Sequence, residues 1–208
     1  MKSYLVNIMK PFDLTDNLEK DVIQLLQIHD KHIIADHSIR VAAEAKKLAR
    51  QFNVNPDAAE IAGLLHDISG IFPNHKRIEV AKQLSIDILP EEEKFPLIIH
   101  QKISKVMARE VFGIDDPIIL DAIGCHTTLC ANSTTLDKVL FVADKIEWDQ
   151  TGTPPYIQHL LTQMEKSLEH AAFSYITYLW DQRDSLKVVH PWLADAYFEL
   201  KEITQKSS

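Results

Sequence analysis

Two cysteines in a chain of 208 residues are too few for a disulfide framework, and the natural setting for such a chain is the reducing cytoplasm. Five glycines and no sustained alternation of apolar and polar residues argue against a sheet protein. No apolar run approaches the ~20 residues of a membrane helix. The opening Met1-Lys2-Ser3-Tyr4-Leu5-Val6-Asn7-Ile8-Met9-Lys10 is too short and too polar for a signal peptide. Positive charge is also scarce. Lys and Arg number 22 against 30 Asp and Glu, a formal net charge of −8, which disfavours nucleic acid or an anionic membrane as partner. A small anionic ligand remains open, because bound metals reverse the sign locally.

What is present reads as helices throughout. Apolar positions recur at helical spacing over residues 18–29, from Asp36 through Val41, Ala45, Leu48 and Phe52, and again after the N-cap and Pro of Asn55-Pro56. That third helix carries His66-Asp67 near its end and stops around Gly70. A short helix covers 76–84, and residues 90–96 form an acidic, Pro-bounded loop. Ile99, Ile103, Val106 and Met107 define a further helix, Asp116-Pro117 opens one ending near His126, and Leu136, Leu140 and Asp144 share a face. A long helix over 155–186 and a last one over 191–203 close the chain. The expectation is a single all-α domain over 1–208, core 18–150, with the C-terminal helices 155–204 packed on it and Thr151–Pro155 as hinge. A homodimer is compatible with this architecture.

The pair His66-Asp67 lies in the apolar run Ile61-Ala62-Gly63-Leu64-Leu65-His66-Asp67-Ile68. An unpaired polar group buried there costs roughly 1–3 kcal/mol, and a bare carboxylate more. A hydrogen-bonded core His with a capping Asp would satisfy it; so would a divalent metal. His37, His100, His126 and Asp144 each lie in or beside another apolar helical pattern, and six such groups on separate segments favour the metal. Imidazole and carboxylate ligands without thiolate suit iron, manganese, cobalt, nickel or zinc.

The ordered strings His37-Ser38-Ile39-Arg40-Val41-Ala42, Gly63-Leu64-Leu65-His66-Asp67, His126-Thr127-Thr128, Phe141-Val142-Ala143-Asp144 and Val189-His190-Pro191 resemble the HD-domain superfamily of metal-dependent phosphohydrolases. They are most similar to its YqeK-type symmetrical bis(5′-nucleosyl)-tetraphosphatases. The resemblance implies an all-helical HD fold with two divalent metal ions, iron first among them. His37, His66, Asp67 and Asp144 would hold one metal. His100 and His126 would complete the second, with Asp67 bridging. It also implies a nucleotide substrate, diadenosine tetraphosphate, split to two ADP by a metal-activated hydroxide. A di-iron HD oxygenase with much the same ligands, and a nucleotide-binding HD regulatory module without turnover, are the alternatives.

Three positions depart from the pattern. Gly70 stands where the family usually has Lys, Leu129 where it has Gly, and Glu147-Trp148-Asp149-Gln150 where it has Glu-Pro-x-Arg. Two cations expected to face the polyphosphate are therefore replaced, and Leu129 is expected to enter the pocket. Arg40, one helical turn beyond His37, joins Asp67 as a catalytic candidate through a phosphate contact, the alternative being a solvated surface Arg. Lys145 is expected on the surface, Trp148 as a packing residue, His29 and His32 as structural, and Cys125 and Cys130 as buried thiols.

Overall fold

Helix caps set the frame. The computed structural model describes residues 2–148 and 150–206, and no strand occurs among them; Asp149, part of the motif above, lies outside the described residues. Asn17 accepts from the Lys20 N–H and opens α2 (Leu18–Ile28). It follows a short α1 (Lys2–Ile8) that the apolar spacing does not announce. The Lys10 N–H donates to His29 Nε2, so His29 ties that first segment to the end of α2. The next helix, α3 (His32–Gln51), begins one turn before Asp36. Asn55 accepts from the N–H groups of Asp57 and Ala58 to start α4 (Pro56–Leu65). The helix stops there, and the chain turns through a 3-10 segment, Ile68–Ile71.

Next come α5 (Asn74–Gln83) and α6 (Pro90–Lys94). The latter is a correction to the loop expected over 90–96: Glu92 accepts from the Leu89 N–H and caps one short turn of helix there. Then α7 (His100–Glu110) and α8 (Pro117–Cys125) form a packed pair. Thr134 and Asp137 cap each other's backbone at the start of α9 (Thr135–Ile146). The helix expected over 155–186 is two, α10 (Ile157–Met164) and α11 (Leu168–Asp181). Ser167 divides them because its hydroxyl accepts from the His170 N–H, making a new N-cap inside the apolar pattern. The last helix is α12 (Pro191–Lys206).

The centre of the fold is the α3–α4 pair, on which α9 and α8 pack. Their close approach depends on Gly63. A methyl group there would lie 2.5 Å from the Ala42 Cα, so any larger residue would push α4 away from α3. That contact brings His37, on α3, and His66, at the end of α4, to the same place. The C-terminal helices join the core where α11 packs on α9, and α12 packs on α11.

Candidate metal centre

The six expected ligands come from five segments and meet at one point. His66 is the first residue past α4 and Asp67 follows it; His100 opens α7; His126 is the first residue past α8. His37 lies near the start of α3 and Asp144 near the end of α9. Helix ends suit this role, since the side chains there can converge without helices crossing.

Three of the imidazoles are held in one way. His66 Nδ1 donates to the Gly63 carbonyl at 2.7 Å, His100 Nδ1 to Leu97 at 2.6 Å and His126 Nδ1 to Ile123 at 2.8 Å, each the carbonyl three residues back. A carbonyl can only accept, so the proton is fixed on Nδ1 and Nε2 is left to face inward. His37 Nδ1 is buried without a partner among the described residues.

The inward atoms form two sets that share Asp67. In the first, His37 Nε2 is 3.1 Å from Asp144 Oδ1 and 3.3 Å from His66 Nε2. His66 Nε2 is 3.6 Å from Asp144 Oδ1 and 3.7 Å from Asp67 Oδ2. In the second, Asp67 Oδ1 is 3.0 Å from His100 Nε2 and 3.6 Å from His126 Nε2, and the two nitrogens are 3.0 Å apart. Ligand atoms about 2.1 Å from one cation are about 3 Å apart at right angles and about 3.4 Å apart at the tetrahedral angle, so the pairs at 3.0–3.3 Å match the edges of a coordination sphere and those at 3.6–3.7 Å lie slightly wide of it. Asp67 turns one oxygen to each set, the arrangement of a bridging carboxylate. Three overlapping groups could each hold a metal ion: His37, His66 and Asp67; Asp67, His100 and His126; and, across the two sets, His66, His126 and Asp144.

The charges are those of a cation site. Burial disfavours the ionised Asp67, but His66 and His100 hold its carboxyl well below the usual range. Burial likewise opposes ionisation of Asp144, and Lys145, His37 and His66 override it. His66 would lose its charge by burial alone, yet Asp67 and Asp144 raise it to about 9. Burial lowers His126 to about 4, only partly opposed by Asp67. The two carboxylates thus favour positive charge beside them, the charge a metal ion would supply.

A cavity of about 330 Å³ opens over both sets. Gly70 and Gln150, two of the departing positions, line it, as do Arg77, Lys145, Thr127, Trp148, Tyr156 and Tyr175. Arg40 does not. Its Nε donates to Glu147 Oε2 at 3.1 Å on the exposed side of α3, where the carboxylate following α9 captures it. Lys145 is a correction to the surface reading. It is buried and paired with Asp144 Oδ2, with α11 covering it through Tyr175. Leu129 is another. It is fully buried in the apolar core and is not among the cavity-lining side chains. Its φ of +56° is the left-handed backbone that Gly adopts without penalty, so its burial offsets a local strain.

Arg77 lies outside every motif in the sequence, yet it reaches the cavity. A signal exists: it precedes Val80 and Ala81 by three and four residues on the buried stripe of α5, a charge continuing an apolar face as Asp144 does. Cys125 is buried and Cys130 half-buried, both free. Outside the metal cavity they approach Asp137 to within 4.8 Å, a group of three donors rather than a closed four-ligand zinc site.

The HD domain model matches residues 34–149, the stretch from the start of α3 to the segment after α9. The chain belongs to the HD-domain family. This HD protein is 49% identical over 156 residues to an uncharacterized protein in the pepC 5′ region of Lactococcus lactis subsp. cremoris, covering 75% of this chain and 78% of that one. It is 30% identical over 154 residues to the symmetrical bis(5′-nucleosyl)-tetraphosphatase of Halalkalibacterium halodurans, covering 73% of this chain and 80% of that one. Its fold superposes on the crystal structure of a predicted HD superfamily hydrolase involved in NAD metabolism from Clostridium acetobutylicum. The TM-score is 0.81 at 25% identity, over 88% of this chain and 97% of that one. No helix among the described residues is long and apolar enough to cross a membrane.

Proposed function

We propose that this HD protein hydrolyses a nucleoside polyphosphate, with diadenosine tetraphosphate split symmetrically to two ADP at a two-metal centre. The chain is a metal-dependent phosphohydrolase by its family and its tetraphosphatase relatives; the substrate and the number of metals are the inference. One observation carries it. Within the cavity the carboxylates Asp67 and Asp144 are matched by the cations Arg77 and Lys145, so the charge of bound metals is left for the ligand to neutralise. A polyphosphate does so; a neutral oxygenase substrate does not. Divalent cations there would activate a water and stabilise charge on phosphate oxygens. The chain's own part is to orient three imidazoles through carbonyls, hold Asp67 between the two donor sets, and keep Lys145 against Asp144. The two free thiols fit a cytoplasmic setting.

The deciding experiment is metal analysis of protein purified without chelator, iron being the first candidate, followed by anaerobic assay on a nucleotide panel with product identification. Two ADP per tetraphosphate is the expected result. Oxygen uptake with iron(II) and no phosphate product would make it an oxygenase. Bound metal with no turnover on any nucleotide would make it a sensor.

A further inference from the structure

Arg77 is 8% exposed and has no carboxylate within ion-pair distance among the described residues. Its Nε donates to the Phe72 carbonyl at 3.2 Å and its Nη1 to the Leu97 carbonyl at 3.0 Å. Nη2 makes no hydrogen bond among the described residues, and the side chain lines the metal cavity. A buried guanidinium carries five N–H donors and stays charged, and leaving it without a counter-ion is costly. Two neutral carbonyls fix its plane, and Asp67 across the cavity acts on its charge only through space, without an ion pair or hydrogen bond to satisfy Nη2. Proteins tolerate such a cation where an anion comes to meet it.

The Leu97 carbonyl shows which end of the cavity it faces. That oxygen accepts from Arg77 Nη1 and from His100 Nδ1 at once. Arg77 therefore stands next to His100, on the side of the Asp67, His100 and His126 set. Gly70, two residues before the Phe72 carbonyl that Arg77 holds, offers no side chain, and a Cβ there would meet Ile34 Cδ1 at 2.4 Å.

We infer that Arg77 binds a phosphate group of the substrate lying beyond the reacting one, next to the Asp67–His100–His126 donor set. The inference rests on the phosphohydrolase reading and names the part of the ligand that sits there. It assigns to α5 the polyphosphate-reading charge that position 70 does not supply.

The test uses Arg77→Met and Arg77→Gln in metal-loaded protein, with inorganic pyrophosphate as the calorimetric probe. The expected result is a loss of roughly tenfold to a hundredfold in pyrophosphate affinity, the range of a charge-assisted contact, with metal content unchanged. KM for diadenosine tetraphosphate should rise similarly, while hydrolysis of bis(p-nitrophenyl) phosphate, which has no further phosphate, changes less than about twofold. Arg77→Gln keeps an amide donor for the carbonyls and covers the case in which the methionine variant does not fold. Wild-type pyrophosphate affinity in either variant overturns the inference. So does loss of the metal at His100 and His126, or an equal fall on both substrates, since Arg77 would then only strap Leu97 in place. If wild type fails to cleave the tetraphosphate yet binds pyrophosphate through Arg77, the proposed substrate is wrong and the phosphate site stands.

Discussion

Two buried polar clusters in this molecule solve the same problem in opposite ways. Glu92 is fully buried, and its carboxylate is answered on all sides. Lys102 Nζ lies 2.8 Å from Oε2, the Leu89 N–H donates to the same oxygen at 2.8 Å, and His190 Nε2 is 3.4 Å from Oε1. The cluster ties α6, α7 and the start of α12 together and asks for nothing further. At the metal centre, four imidazole nitrogens and two carboxylates crowd together, His37 Nδ1 has no partner among the described residues, and the two carboxylates raise His66 to about 9 against its burial. A closed cluster is structural; an over-supplied one is built around something added. His190 shows the distinction within one residue type. It belongs to a family-like string, Val189-His190-Pro191, yet its ring serves the staple.

The largest effect should follow removal of the shared ligand. Asp67→Ala takes an oxygen from each donor set, and hydrolysis should fall by about a thousandfold or more. Metal analysis should find neither equivalent bound, and added metal should no longer raise the melting temperature, as it does for any protein whose folded state alone binds it. His100→Ala should remove mainly the second equivalent. Two equivalents retained by Asp67→Ala would show that the centre does not depend on Asp67 as a shared ligand.

Glu92→Ala tests the other side. It strands Lys102 beside His190 in a buried place, and such a loss costs roughly 3–5 kcal/mol, or about 10 °C in a chain of this size. Metal content should not change. If metal is lost as well, the staple and the centre are one unit.

Titration should separate the clusters by sign. Burial works against charge on Glu92, but His190, the Leu89 N–H and Lys102 lower its pKa from 4.5. Its contribution is present above that value and is lost as pH falls through the folded one. In metal-free protein His66 is raised from 6.5 to about 9. That contribution is full below 6.5 and is lost as pH rises toward 9. Chelated protein should therefore melt several degrees lower at pH 9 than at pH 6.5. Metal-loaded protein should not, because the cation replaces the proton. A flat profile in chelator would mean that His66 is not the proton's place.

Much of the site is legible in the chain, for a local reason. Each ligand continues or borders an apolar helical stripe, so the spacing of Leu136, Leu140 and Asp144 is enough to declare an inward carboxylate. Lys145 escapes such a reading because the neighbour that buries it is far away in sequence. Rotated about 100° from Asp144, it points to a face that α11 covers through Tyr175 and where the His126 carbonyl accepts from its Nζ. The break at Ser167 is hidden by an apolar pattern that runs through it. Leu129 escapes for a third reason: a side chain where Gly is usual suggests a filled pocket, but at φ +56° it points into the core. Arg40 obeys its helical spacing and is taken by Glu147.

A new cation at Gly70 should have the mildest consequence. The staple has no place for a further charge, whereas the centre, once loaded with metal and anion, should accept one. Gly70→Lys puts an ammonium within the cavity, but its Cβ would lie 2.4 Å from Ile34 Cδ1. That atom is the free end of a half-buried side chain, so it can move, at the cost of overpacking, about 1–3 kcal/mol. The single variant should therefore gain little on diadenosine tetraphosphate, about threefold at most, part of the new contact being spent on displacing Ile34. Adding Ile34→Ala removes the obstacle, and the double variant should improve KM several-fold over the single one, with Ile34→Ala alone as the control. Measured on pyrophosphate binding as well, the pair shows whether position 70 faces the phosphate chain. If the double variant binds no better than Ile34→Ala alone, a Lys at 70 does not reach the anion, and Arg77 reads the polyphosphate without help from that side.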